Sequence, residues 1–245
     1  MTNHGRRRKP PTLTIPPMAI HVFDDPIALA RAAADRIGAW LRVEGHRTLG
    51  LAGGSTPRLT YEFLRSEDVP WERTHVWLTD ERHVPIEHPE SNSGMALASL
   101  LSHVAAPFHP VEFDPDPAIA ASDYEHTLHQ MWRDVDCEKG TGLILLGLGD
   151  DGHTASLFPE GSALAEHERD YVADWVEDKS SWRLTATPTL LARADRLMFL
   201  VAGKAKAKVV EEILEQDADL PAAIVSRAAA DPVWMLDREA AARLG

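Results

Sequence analysis

"LILLGLGDDGHTASLFP", residues 143–159, opens with four consecutive aliphatic residues and then changes character within one turn. Unbroken rather than alternating hydrophobicity marks a strand buried on both faces, the pattern of a parallel sheet with helices above and below. Past Leu146 the glycines Gly147, Gly149 and Gly152 bend the chain, and Asp150, Asp151 and His153 stand at the mouth of the strand. Other strands read from the sequence are "MAIHVF" (18–23), "RTLGLAGG" (47–54), "THVWLTDERHVP" (74–85), which leaves through a polar loop, 171–176, 182–187, 196–202 and "PVWMLD" (232–237). Between them lie helical stretches: 24–41, with Asp24 or Asp25 as N-cap and Pro26 in the first turn; one opened by Ser55 as N-cap; 92–102; 117–135; and 204–215. "REAAARL" (238–244) reads as a closing helix. This alternation predicts an α/β fold: a mostly parallel twisted sheet flanked by helices on both faces, a Rossmann-like open sheet with a smaller strand-containing subregion. Residues 18–245 are expected to form a single domain, after a disordered or loosely packed, proline-rich tail over 1–17 that carries Arg6, Arg7 and Arg8.

Composition narrows the chemistry. The chain has 245 residues, 44% hydrophobic and 26% charged, enough apolar material for one large core or two small ones. Lys and Arg total 25 against 38 Asp and Glu, a formal charge of −13, so the average field repels nucleic acid, and an anionic ligand needs a locally cationic pocket. A single cysteine, Cys137, excludes an intrachain disulfide and suits a reducing cytoplasm. No apolar run approaches the roughly 20 residues of a membrane span, and the start lacks the apolar core of a signal peptide.

In a parallel sheet every strand-to-helix turn emerges at the same carboxyl edge, so distant loops become neighbours there. Four such turns carry unusual residues: "AGGSTP" (52–57), "TDERHVP" (79–85), "GLGDDGH" (147–153) and "AGKAK" (202–206). The first offers glycines, Ser55, Thr56 and the free amides of a helix start, either as a phosphate cradle or as a simple cap; it lacks the Gly-Lys-Ser/Thr of a Walker loop. Arg82 can grip a phosphate or pair with Asp80 or Glu81. Lys204 can supply a point charge, while Lys204, Lys206 and Lys208 together also read as a solvated helix face. Gly147, Gly149 and Gly152 formally satisfy G-x-G-x-x-G, but Asp150 and Asp151 would face the pyrophosphate, and Pro159 and Gly161 cut short the helix a dinucleotide site needs.

What remains is a histidine with a carboxylate two residues before it. Asp151 bonded to one ring nitrogen would leave His153 able to take a proton near neutral pH, unless the pair is only a helix cap beside a surface histidine. No G-x-S-x-G elbow is present, so general-base activation of water is the simplest chemistry. His126 and His129 lie one helical turn apart but lack an H-E-x-x-H or similar partner, and no metal site is expected.

Five segments in register, "LAGGSTP", "WLTDERHVPIEHPESN", "LGLGDDGHTASLFPEG", "VAGKAKAKVVEEIL" and "LPAAIVS…VWMLD", resemble the 6-phosphogluconolactonase family. The resemblance implies hydrolysis of 6-phosphoglucono-1,5-lactone to 6-phosphogluconate, in the oxidative pentose phosphate pathway, without a metal or organic cofactor. It implies His153 as general base and Asp151 as its orienting partner. Gly54, Ser55 and Thr56 match the family's phosphate loop, Arg82 the arginine of its "DER" segment and Lys204 the lysine after its "GK" turn. Arg183 fits an arginine before a T-x-P segment, although Leu191 stands where an asparagine is usual. Asp150 occupies a variable position and receives no role. The resemblance further implies a small sugar-phosphate lactone as ligand; from charge and hydropathy no nucleic acid or membrane partner is expected, and the expected state is a monomer or a weak homodimer. Glucosamine-6-phosphate deaminase has a similar scaffold, but its motif continues toward "IAFNEP" where this chain reads "TASLFPEG"; a catalytically silent sugar-phosphate sensor would not need both Asp151 and His153.

Overall fold

The computed structural model describes residues 18–43, 47–135 and 141–245; the expected tail over 1–17 and Cys137 lie outside them. β1 (Ala19–Phe23) leads into α1 (Pro26–Leu41), β2 (Arg47–Leu51) into α2 (Ser55–Leu64), and β3 (Thr74–Leu78) is followed after one residue by the short β4 (Asp80–Arg82). There follow α3 (Asn92–Ala96) with a π-helical turn over Leu97–Leu101, then α4 (Pro117–Asp134), β5 (Leu143–Leu146), β6 (Tyr171–Val176) and β7 (Ser181–Ala186). The one-turn α5 (Pro188–Leu191), β8 (Arg196–Val201), α6 (Ala207–Leu214), α7 (Pro221–Ala228) and β9 (Pro232–Asp237) complete the described elements.

Six strands form one sheet in the order β1-β9-β8-β5-β2-β3, and each neighbouring pair is parallel. The aliphatic run Leu143–Leu146 supplies its centre as β5. Leu143 and Leu145 face a core shared with α1 and α2, while Ile144 and Leu146 face the one shared with α4, α6 and α7. All four are fully buried, which is why the run shows no polar alternation. β4, β7 and β6 form a second, antiparallel sheet that packs on α4 and contributes Tyr171, Leu184 and Ala186 to that second core.

Three expectations are corrected. The exit of "THVWLTDERHVP" is not wholly a loop: Asp80–Arg82 form β4, and Thr79 donates its N–H to Leu51 O (2.9 Å) in the parallel sheet and accepts from Ala186 N (2.8 Å) in the antiparallel one. One residue thus serves both ladders, and the chain changes sheet there. Ser55 is not the cap of α2. Gly54 takes that place with φ of 106°, a left-handed value that glycine adopts without strain, and no side chain caps the helix. "REAAARL" forms turns rather than a helix, its start tied by Ala240 N to the Asp237 carboxylate at 2.7 Å, a carboxylate that also takes Gly203 N. Asp25, by contrast, caps α1 as the sequence suggests, accepting from Ala28 N at 2.8 Å.

Candidate active site

The four glycine-bearing or charged turns follow β2, β3, β5 and β8, four consecutive strands in the sheet. After β2 the chain moves outward to β3; after β5 it moves the other way, to β8 and β9. A sheet opens a crevice where its winding reverses, and here that point falls between β2 and β5. A cleft of about 540 Å³ occupies this edge. Gly54, Ser55, Thr56, Arg82, Asp151, His153 and Arg183 all line it; Lys204 does not.

The dyad is built by its own loop. His153 Nδ1 lies 2.6 Å from Asp151 Oδ1, and the His153 backbone N–H donates to the same oxygen at 3.1 Å. Gly149 N donates to His153 O at 2.8 Å, closing the turn, and Gly152 holds φ of 83°. A Cβ on Gly149 would sit 2.0 Å from His153 Nδ1 and 2.6 Å from Asp151 Oδ1, so only glycine leaves room for the pair. Phe158 packs on the imidazole at 4.3 Å between centroids. Burial raises the Asp151 carboxyl, but the His153 N–H, charge and ring bond together outweigh it and hold Asp151 below the usual carboxylate range. An ionised carboxylate only accepts, so Nδ1 carries a proton; in the neutral ring the lone pair is then on Nε2, which has no hydrogen-bond partner among the described residues.

The same cleft is lined by cations. Arg82 on β4 and Arg183 on β7 are register partners across the antiparallel ladder. Neither forms an ion pair among the described residues: Arg82 Nη1 donates to Glu90 O at 2.6 Å, and Arg183 Nη1 to Ser181 Oγ at 2.8 Å. Burial, and next the Arg82 charge, lower the Arg183 pKa from its ordinary value, against the opposing pull of the Asp80, Glu90 and Glu81 carboxylates. Pairing with Asp80 or Glu81 does not occur. Glu81 is buried and spent on structure, accepting from Asn92 N (2.6 Å) and Ser93 N (2.7 Å) at the start of α3, and burial raises its carboxyl even so. Asp80 accepts from Ser156 Oγ at 2.8 Å. Along the cleft, α2 begins with Ser55 and Thr56; because Gly54 takes the cap position, the first amides of the helix are left to a ligand.

Two cations of the cleft were missed in the sequence. Gly203, with φ of 98°, opens a tight 3₁₀ turn over Lys204–Lys206 that leaves Lys204 exposed and turns Lys206 into the cleft, where it pairs with Asp150. The spacing G-x-x-K was the available signal. Lys208 pairs with Glu212 at 3.3 Å on the exposed helix face. Lys179, in the turn joining β6 and β7, also lines the cleft, and no local pattern marks it. Of the histidines weighed as metal ligands, His129 instead bonds Asp170 Oδ2 at 2.7 Å.

Residues 24–234 match the family model described as glucosamine-6-phosphate isomerases/6-phosphogluconolactonase. A 6-phosphogluconolactonase of Synechocystis sp. is 38% identical, over 85% of this chain and 89% of that protein. One from Rattus norvegicus is 37% identical, over 93% of this chain and 94% of that one. The solved 6-phosphogluconolactonase of Trypanosoma brucei superposes with a TM-score of 0.80 at 27% identity, covering 93% of this chain and 99% of that chain. With its winding reversal, its glycine-turn dyad and a family match across most of its length, the chain belongs to the glucosamine-6-phosphate isomerase/6-phosphogluconolactonase family.

Proposed function

We propose that this protein hydrolyses 6-phosphoglucono-1,5-lactone to 6-phosphogluconate, the second step of the oxidative pentose phosphate pathway, with His153 as general base and no metal or organic cofactor. One observation carries the reading: the Asp151-oriented imidazole and the arginine pair line the same cleft. Water on Nε2 loses a proton to the ring as it attacks the lactone carbonyl carbon, and Asp151 stabilises the imidazolium that forms. The tetrahedral intermediate collapses by breaking the bond to the ring oxygen, which takes the proton back from Nε2. A lactone is an activated ester, so one base and an ordered water suffice without a covalent intermediate.

The phosphate is the handle. Arg82, Arg183, Lys206 and the amides of Ser55 and Thr56 receive it, and that remote binding orients the ring over His153. In a chain of net charge −13 this cluster gives the cleft the local sign a phosphate needs. We read residues 18–245 as one catalytic domain, a monomer of the cytoplasm, in keeping with the single cysteine. No helix among the described residues is long and apolar enough to cross a membrane.

The test supplies glucose 6-phosphate, NADP and the two flanking dehydrogenases, and follows NADPH. Added protein should speed the second phase of NADPH formation. Ammonia release from glucosamine 6-phosphate with no effect on that phase would place the chain with the isomerases of the family instead.

A further inference from the structure

Asp150 makes an ion pair with Lys206, joining the loop after β5 to the turn after β8. The two partners differ in setting. The lysine side chain is 25% exposed, set into the cleft wall, whereas the carboxylate is 71% exposed and has no other hydrogen-bond donor among the described residues. A carboxylate whose one anchor is a cleft cation stands where an anionic ligand would stand. Asp151, its neighbour, is turned to His153 and does not share this contact.

We propose that Asp150 is an internal competitor for phosphate, holding Lys206 and weakening the grip on phosphorylated ligands. The inference rests on the reading above that the phosphate reaches Lys206. A lysine ammonium is one compact charge with three donors. An arriving phosphate must either displace Asp150 or lie beside it, and in both cases the carboxylate opposes it. Hydrolysis leaves the phosphate in place and adds a carboxylate, so product carries one more negative charge than the lactone. A cleft that held phosphate as tightly as its cations allow would hold product too; Asp150 lowers that hold at the residue that bears it.

The test compares the parent protein with Asp150→Asn, which removes the charge at constant size, and Asp150→Ser, which also removes reach to the ammonium. Calorimetric titrations use inorganic phosphate, 6-phosphogluconate and gluconate. Both variants should bind the two phosphorylated ligands about threefold to tenfold more tightly at low ionic strength. The gain should shrink at about 0.5 M salt, and gluconate affinity should not move. Phosphate affinity that is unchanged or weaker in both variants overturns the proposal, as does equal tightening toward gluconate. Lys206→Met separates the two failures. If it weakens phosphate binding while the Asp150 variants tighten nothing, the competitor role falls and the phosphate site stands; if phosphate binding survives Lys206→Met, the phosphate placement falls, and the competitor role with it.

Discussion

Asp151 and His153 are joined twice through a single oxygen: Oδ1 accepts both the His153 backbone N–H at 3.1 Å and the ring Nδ1–H at 2.6 Å. The backbone contact fixes where the carboxylate stands, and the ring contact fixes which nitrogen holds the proton. His153→Ala should lower kcat by about 10²–10⁴ with little change in KM, the usual scale for one acid–base group. Asp151→Asn should lower it by about 10–10³, since the amide can still bond the ring but stabilises no imidazolium. Steady-state kinetics decide the matter; turnover near the parent value in His153→Ala would place the base elsewhere.

Gly149→Ala tests the turn rather than the dyad. The added methyl would sit 2.0 Å from His153 Nδ1, so the ring must move and the Asp151 contact open. We expect kcat to fall at least tenfold, with less than about 1 kcal/mol of stability lost because the atoms the methyl meets belong to side chains that can turn away and not to backbone. Urea unfolding alongside kinetics checks this. A parent-like kcat would mean that the turn adapts without disturbing the base.

Lys204 and Lys206 are two residues apart and should differ sharply. Lys206→Ala should raise KM about fivefold to fiftyfold, the loss of one charge-assisted contact, whereas exposed Lys204→Ala should leave KM within twofold. The opposite ranking would restore the lysine that the motif alone suggested.

Arg82 and Arg183 face each other across one ladder, so their effects should not add. Each alanine variant should raise KM more than it lowers kcat, and the double variant should lose less than the product of the two factors, since the second arginine no longer completes a two-point grip. Independent effects in a double-mutant cycle would show that the two arginines do not bind one anion together.

Asp170 links fold to pH. Arg193 grips it with two N–H groups at 2.9 and 2.7 Å, and His129 Nε2 lies 2.7 Å away. Burial raises the Asp170 carboxyl, but Arg193 and His129 outweigh it and leave its pKa below the ordinary value. A depressed folded pKa means the stabilisation is fully present above the unfolded carboxylate pKa of about 4 and fades as pH falls through the folded value. Asp170→Asn should therefore cost about 1–3 kcal/mol at pH 7, with the gap to the parent closing in strong acid. Denaturant midpoints across that range give the measurement; a gap as wide at about pH 2.5 as at pH 7 would rule the ion pair out as its source.

The strands of the main sheet and the dyad were legible in the chain because each depends on short-range physics. Burial on both faces demands an unbroken apolar run such as Leu143–Leu146, and a glycine turn brings residues two apart, Asp151 and His153, into contact without help from elsewhere. The rest turned on which strands became neighbours. Thr79 changes sheet because its N–H and carbonyl find Leu51 and Ala186, Arg82 meets Arg183 through a ladder between segments far apart in sequence, and Lys206 rather than Lys204 enters the cleft through the sense of one 3₁₀ turn. Strand order also puts Asp150 against Lys206 and Lys179 at the cleft, contacts with no local pattern to announce them. Local conformation follows from adjacent residues, but a charge's partner depends on where the folded backbone carries both groups, and only tertiary structure decided that.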